Sequence, residues 1–482
     1  MLFQSADGNL LSDNRGELTR EQWYVHRVDG LKLGSRWLRE YSFEVRGQMR
    51  VRRVVLDEIE GQRFGQHYER SVRVVSLERS GGELLAVSSE VRAGGTPVVT
   101  HCKVFEGQLY VKMCDVDRDR YDVLDWSEDC RGPLAVEDSL RRSPMKVGES
   151  REVRYFDPVV QRMIDAKLVA REWEDTTMND TGELLSLLRI ESANAGPGIT
   201  RWMDAAGSLV RSDDAFMAQS MCAATALAAN APNDTWDVDL AVKARVELTP
   251  PFPVRPAQPF AMAKYRVTMK DASPTAVFAE SETQSVSAVD ARTAIISVVA
   301  SLPQVVGTSP SDRPIEQDIA ANRWIQSSDP SIRQFAGTAT GGATEPNSML
   351  QAMRRHVFHS LRKVDFSQTF ASAVEVVRSR EGDCSEHAVL LAAICRAQGL
   401  PARVVVGMIY DDLIRGFVYH TWNEVWVGGR WVPVDATERN DPPSVGHLKI
   451  THSNLHGGWD TSLVAPVMRV VGRTTIELVA YE

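Results

Sequence analysis

The chain has 482 residues, 43% of them hydrophobic and 25% charged, with a formal net charge of −9. That length exceeds one typical core and calls for two or three domains. The mildly acidic balance, with no basic block, speaks against a nucleic-acid partner, and no apolar run approaches the ~18 residues of a membrane span, so no transmembrane span is expected.

The start, MLFQSADGNLLSDNRGE, has neither a charged n-region nor an apolar h-region. Residues 1–20 are read as a flexible N-terminus. As it stands the chain has no export signal, which leaves the cytoplasm as the default compartment, and the cell envelope if the start is trimmed. From 21 to 235 the pattern is that of a β-rich antiparallel domain. Gln22–Val28 and Leu31–Leu38 flank Asp29-Gly30, a strong hairpin signal. Met49–Leu56, Ser71–Glu78 and Leu84–Val91 continue the pattern around a turn at Ser80-Gly81-Gly82. Val104–Lys112 forms strands around Glu106-Gly107, and Arg201–Val210 is a further strand-turn-strand unit. Arg50, Arg52 and Arg53 read as a solvated strand face. The Ala-rich stretch Met217 to Ala231 reads as a core helix or surface segment.

Residues 236–310 read as a second β-rich segment and linker. Thr249–Pro259 is Pro-rich, Ala263–Met269 and Ala294–Ala300 are strands, and Gly307–Pro314 is the linker. Beyond it, 311–482 changes texture. Helices are expected at Pro346–Lys363, at Ala371–Ser379 and from near Cys384. Strands follow at Arg403–Ile409, His420–Val427, Arg430–Val434 and Val467–Val479, the order of an α+β domain.

Six cysteines, Cys102, Cys114, Cys130, Cys222, Cys384 and Cys395, match no zinc spacing and no disulfide framework. One of them stands out by its neighbours. In Gly382–Pro401 (GDCSEHAVLLAAICRAQGLP) Ala388, Leu391, Ala392 and Cys395 share a helical face, and Gly399 and Pro401 end the helix. Asp383 caps its start, which puts Cys384 in the first turn, where unsatisfied N–H groups favour a thiolate. Gly382 leaves room beside the sulfur. Asp383 and Glu386 act in the other direction, because nearby carboxylates raise a thiol pKa, so a histidine partner is needed. The plain alternative for any one cysteine is a small core residue, which is how Cys395 is read.

The histidine comes from His420–Asp435 (HTWNEVWVGGRWVPVD). A two-residue turn at Gly428-Gly429 sets Val427 opposite Arg430 and His420 opposite position 437. Asp435 is then one diagonal step from His420, ~7–8 Å at Cα and within side-chain reach. The register puts Val425, Val427, Val432 and Val434 on one face, and His420, Trp422, Trp426, Trp431 and Asp435 on the other. A carboxylate on one imidazole nitrogen leaves the other to take the thiol proton. Taken singly, His420 is a hydrogen-bonded core histidine and Asp435 a turn residue; together with Cys384 they read as a triad.

These residues resemble the bacterial transglutaminase-like superfamily, papain-like in its catalytic core. The likeness is carried by Gly382-Asp383-Cys384-Ser385-Glu386-His387-Ala388, by Gly399-Leu400-Pro401-Ala402-Arg403, and by His420-Thr421-Trp422-Asn423-Glu424-Val425 with Trp431-Val432-Pro433-Val434-Asp435-Ala436-Thr437. It covers about Ser327 to Val479. It implies an α+β fold in which a β-rich antiparallel N-terminal region precedes a transglutaminase-like catalytic domain. It implies Cys384 as nucleophile, His420 as base and Asp435 as its orienting acid, with the Cys384 backbone N–H among the oxyanion donors. Gly382, Asp383, Tyr419 and Trp422 are candidates for the substrate cleft, with hydrophobic core as the preferred alternative for Tyr419 and Trp422. No cofactor and no metal are expected. Cys384-x-x-His387 lacks a fourth zinc ligand, His447, His452 and His456 read as a polar surface loop, and no acidic calcium loop is present.

The reaction implied is acyl transfer through a thioester on a peptide or protein amide, with hydrolysis preferred to crosslinking. Protein-glutamine transamidation, or a binding or scaffold protein that retains an unused triad, are the alternatives.

Overall fold

The computed structural model describes the chain except for residues 1–15, 64–65, 93–96, 115–118, 179–181, 193–198, 215–218, 235–244, 254–259, 271, 301–311, 364–370, 439–442, 457–469 and 471. It divides into two compact units, Met1–Lys243 and Ala244–Glu482. Most of the expected flexible N-terminus lies outside the described residues, while Glu17–Arg20 already belong to the first strand. Residues 307–311 of the linker also lie outside them.

In the first unit, fourteen described strands form one antiparallel sheet built from two meanders. One runs from Glu17 to Asp125 and the other from Ser150 to Ala224. They join where Glu17–Val28 pairs with Gln219–Ala224, Val25 opposite Cys222. Asp29-Gly30 and Glu106-Gly107 turn their hairpins with positive φ at both residues (49° and 83°, 49° and 72°), the geometry a tight hairpin requires. The bridge from Arg131 to Tyr155 links the stretch after one meander to the edge of the other. The inner face packs on a short helix, Ala135–Arg142, whose Ala135, Val136 and Leu140 meet Tyr24, Leu168, Ile190 and Met203. Its acidic first turn and basic last turn suit the helix dipole.

Two expectations for this unit are corrected. Met217 to Ala231 is not one helix: Gln219–Ala224 is a strand and Ala226–Asn230 a short helix capped by Thr225. The seam between the meanders takes the strand, and neighbours in a sheet override local helix preference. Arg52 and Arg53 are not solvated but buried. Arg52 lies 4.7 Å over the Tyr41 ring. Arg53 is ion-paired to Glu40 (2.9 Å), Asp138 (2.9 Å) and Glu78. A guanidinium can leave water when carboxylates satisfy its fork of donors.

The second unit is α+β. Its described nine-stranded sheet runs Gln284–Ala288, Thr293–Val299, Met262–Met269, Thr474–Tyr481, Val246–Thr249, Gly416–Val427, Ala402–Asp411, His447–Ser453, with Arg430–Val434 also paired to Gly416–Val427. The strands between 246 and 299, which the sequence reading set in a segment apart, are thus in one sheet with those carrying the site. Helices Pro330–Ala339, Pro346–Ser360 and Ala373–Ser379 surround the helix Cys384–Ala397, which lies on the strands Gly416–Val427 and Ala402–Asp411. That central helix shows more than one apolar face: every residue from Ser385 to Arg396 is buried, as befits a helix packed on all sides. Each fully buried leucine or isoleucine in it contributes about 1.5–3 kcal/mol. Its last turn is held by Arg396, which donates to the carbonyls of Ala402 (2.8 Å), Ala320 (2.8 Å) and Asn454 (3.0 Å).

Candidate active site

Asp383 caps the central helix. Its carboxylate accepts from Ser385 N at 2.7 Å, and Glu386 reaches back to Asp383 N at 2.9 Å, a reciprocal capping box. Cys384 is therefore the first helical residue and is half-buried. Glu386 also accepts from Ala371 N at 3.1 Å. Burial first, and then the neighbouring Asp383 carboxylate, raise the Glu386 carboxyl well above its usual range. That direction weakens one of the two negative charges that would oppose a thiolate here. Gly382 serves this packing more than a substrate: a Cβ there would stand 2.2 Å from Glu386 Cβ.

The ribbon that brings the histidine has the expected register, Val427 opposite Arg430 and Asn423 opposite Val434. Gly428 and Gly429 both have positive φ (63° and 80°). His420 and Asp435 are buried, and His420 Nε2 lies 2.6 Å from Asp435 Oδ2. That bond leaves Nδ1 as the nitrogen that can serve the Cys384 sulfur, whose hydrogen bond and charge act on His420. Burial alone would lower the His420 pKa, but the Asp435 charge and hydrogen bond together with the sulfur overcome it and push it up to about 10. Burial likewise opposes ionisation of Asp435, yet His420 and His447 hold its carboxyl well below the usual range. Oδ1 of the same carboxylate accepts from Thr437 N and Thr437 Oγ1, both at 2.7 Å.

Of the cleft candidates, Trp422 is buried. Its ring is stacked with the His420 imidazole (6.1 Å, 20°) and edge-on to His447 (5.2 Å), so it backs the imidazole rather than facing solvent. Tyr419 is half-buried; its hydroxyl accepts from Thr421 Oγ1 at 3.1 Å and sits near Ser385 and Cys384. His387 turns inward and bonds the Asp383 carbonyl through Nδ1 at 2.7 Å. Cys395 is fully buried, and burial pushes its thiol up. No disulfide joins any of the six cysteines, all of which are described.

The polar-loop reading of the three late histidines is corrected. His447–Ser453 is a strand on the edge of Ala402–Asp411, and His447 is buried with Nε2 3.1 Å from Asp435 Oδ2. His452 lies on the same strand and interacts with Lys449, Arg403 and Glu424, and His456 is exposed beyond the strand, as the loop reading expected. The strand escaped notice because its polar residues are buried in pairs. Lys449 Nζ donates to both oxygens of Glu424 at 2.7 Å, and Arg403 donates to the same carboxylate at 2.7 Å. His420, Asp435 and His447 offer ligand atoms within 4.8 Å of one another. Tetrahedral zinc ligands lie roughly 3.3 Å apart at ~2.0–2.1 Å bond lengths; the 2.6 Å contact here is hydrogen-bond geometry.

The site thus sets a thiol at a helix start near an imidazole–carboxylate pair on an antiparallel ribbon. Residues 333–436 match the model of the transglutaminase-like superfamily, and the C-terminal unit is a transglutaminase-like domain. No protein of curated function matches the chain by sequence. Among solved structures it is similar to a Cytophaga hutchinsonii protein assigned as a cysteine protease (17% identity, TM-score 0.28, 47% of this chain and 85% of that one). It is also similar to a Brucella abortus β-barrel-like protein of the domain of unknown function DUF1849 (10%, 0.30, 42% and 93%). A third is the periplasmic domain of TgpA from Pseudomonas aeruginosa bound to ethylmercury (16%, 0.25, 37% and 90%).

Proposed function

We propose that the chain catalyses cysteine-dependent acyl transfer on peptide or protein amide bonds. The observation that carries this reading is the joint arrangement of Cys384 at the start of its helix with the buried His420–Asp435 pair. The Cys384 sulfur, its proton held by His420 Nδ1, attacks the amide carbonyl. The Cys384 backbone N–H, at the helix start, donates to the oxyanion. As the C–N bond breaks, His420 returns the proton to the leaving amine, giving a thioester. Asp435 keeps the imidazole in the required tautomer throughout. A water, deprotonated by His420, then attacks the thioester and releases the acid and the thiol.

Water is the preferred acceptor because Cys384 is half-buried and so open to solvent, whereas transfer to an amine requires water to be kept from the acyl-enzyme. The test uses the full chain with a thiol-reactive amide probe and with a glutamine peptide, with and without an amine donor. Labelling at Cys384 that is lost in Cys384→Ala supports the enzyme reading; equal labelling of both proteins ends it. On the glutamine peptide, a one-dalton gain indicates deamidation and an amine adduct indicates transamidation. A cut backbone indicates proteolysis.

A further inference from the structure

Asp435 serves two imidazoles. Its Oδ2 takes His420 Nε2 at 2.6 Å and His447 Nε2 at 3.1 Å, and its Oδ1 is filled by Thr437. An ionised carboxylate only accepts, so both Nε2 atoms carry hydrogens. On the other side of the His447 ring, Nδ1 lies 3.3 Å from the Ser444 hydroxyl and 3.2 Å from the Ser444 carbonyl, which also takes the His447 backbone N–H at 3.1 Å. The His447 ring is wedged edge-on against Trp422, which in turn is stacked with His420. His447 lies beyond the family-matched residues 333–436, and the proposed chemistry leaves it without a task.

We propose that His447 is a positioning residue that shares Asp435 with His420, holding the carboxylate in place and dividing its charge between two donors. The inference rests on the triad reading above. A carboxylate bonded to His420 alone would hold the imidazolium proton more tightly. A second donor on the same oxygen draws off part of that charge, so His420 releases its proton more readily to a leaving amine. The other ionisable groups around the pair are Cys384 against His420, Tyr419 against Cys384, and His387 on the central helix, which feels both Asp435 and Asp383. Glu424 and Lys449 lie further along the strands of His420 and His447 and neutralise each other. None of these is altered by substitution at 447.

The test is the pH dependence of Cys384 alkylation by iodoacetamide, followed on the Cys384 peptide by mass spectrometry in the full chain. The upper inflection of that profile reports loss of the His420 proton. In His447→Leu it is expected to move upward by about half to one pH unit, with a several-fold lower rate on the plateau below it. In His447→Gln, whose amide nitrogen can occupy the Nε2 position, both should return towards wild type. Ser444→Ala, which removes the hydroxyl that orients His447, should give a smaller shift in the same direction and serves if His447→Leu does not fold. An unmoved inflection in His447→Leu, or equal shifts in His447→Leu and His447→Gln, overturns the inference. His420→Ala separates the two readings. If it alkylates like wild type, the triad reading itself fails; if it is slow while His447→Leu matches wild type, only the role of His447 fails.

Discussion

Asn423 Nδ2 donates to the Ala388 carbonyl at 2.9 Å, and both residues are buried. The bond ties the strand carrying His420 to the helix that begins at Cys384, one turn in from the sulfur. It thereby holds the spacing between sulfur and imidazole. Asn423→Ala should destabilise the protein by about 1–3 kcal/mol. Because a shift near 1 Å can cost 10²-fold in rate, Cys384 alkylation should slow by roughly tenfold or more. Thermal denaturation and site-resolved alkylation rates check the two effects together.

Glu424 is buried between Lys449 and Arg403. Burial alone would raise its pKa, but the two cations hold it down at about 2. A depressed carboxylate contributes stability that is present above its unfolded value, near 4.5, and is lost as pH falls through about 2. Glu424→Gln should therefore cost about 3–5 kcal/mol at neutral pH, since it leaves buried cations undercompensated. It should also flatten the acid limb of stability. Denaturant midpoints measured from pH 2 to pH 7 on both proteins test this.

The His420–Asp435 pair has the opposite sign on its basic side. His420, raised to about 10, adds stability that is complete below its ordinary value near 6.5 and disappears as pH climbs through 10. Asp435, held low, adds stability that is lost only in acid. The pair is intact up to roughly pH 9, and Asp435 stays ionised into acid below the usual carboxylate range. Asp435→Asn should leave the backbone in place but favour the wrong imidazole tautomer, with a loss of about 10²–10⁴ in kcat. Its alkylation profile should lose the inflection near pH 10.

Gly382→Ala and Gly337→Ala should act in opposite directions. At 382 the new methyl would meet Glu386 Cβ at 2.2 Å, an overpacking that costs about 1–3 kcal/mol and disturbs the cap that places Cys384. At 337, inside the helix Pro330–Ala339, nothing lies within 4 Å of the added methyl. The better helix former should stabilise by about 0.5–1 kcal/mol. Calorimetric melting of the two variants side by side distinguishes them.

The hairpins at Asp29-Gly30, Glu106-Gly107 and Gly428-Gly429 were legible because their residues accept positive φ at low cost. The last of them fixed the ribbon register and hence the face shared by His420 and Asp435. The capped start at Asp383 was legible for a similar reason: a side chain bonds its own backbone two residues on. The strand at His447–Ser453 and the inward course of Arg53 were not. Their polar residues become buried only because partners distant in sequence satisfy them: Glu424 for Lys449, Asp435 for His447, and Glu78 and Asp138 for Arg53.

By itself the sequence determined the local elements of the site: a thiol at a helix start, and an imidazole and a carboxylate on one side of a tight ribbon. Each depends on residues within a few positions of one another, where turn and capping preferences act directly. Only the tertiary structure decided what surrounds them: that burial and Asp383 raise the Glu386 carboxyl, that Trp422 stacks with the imidazole, and that a second histidine reaches Asp435. Burial and charge pairing act across the fold, so no window of sequence carries them.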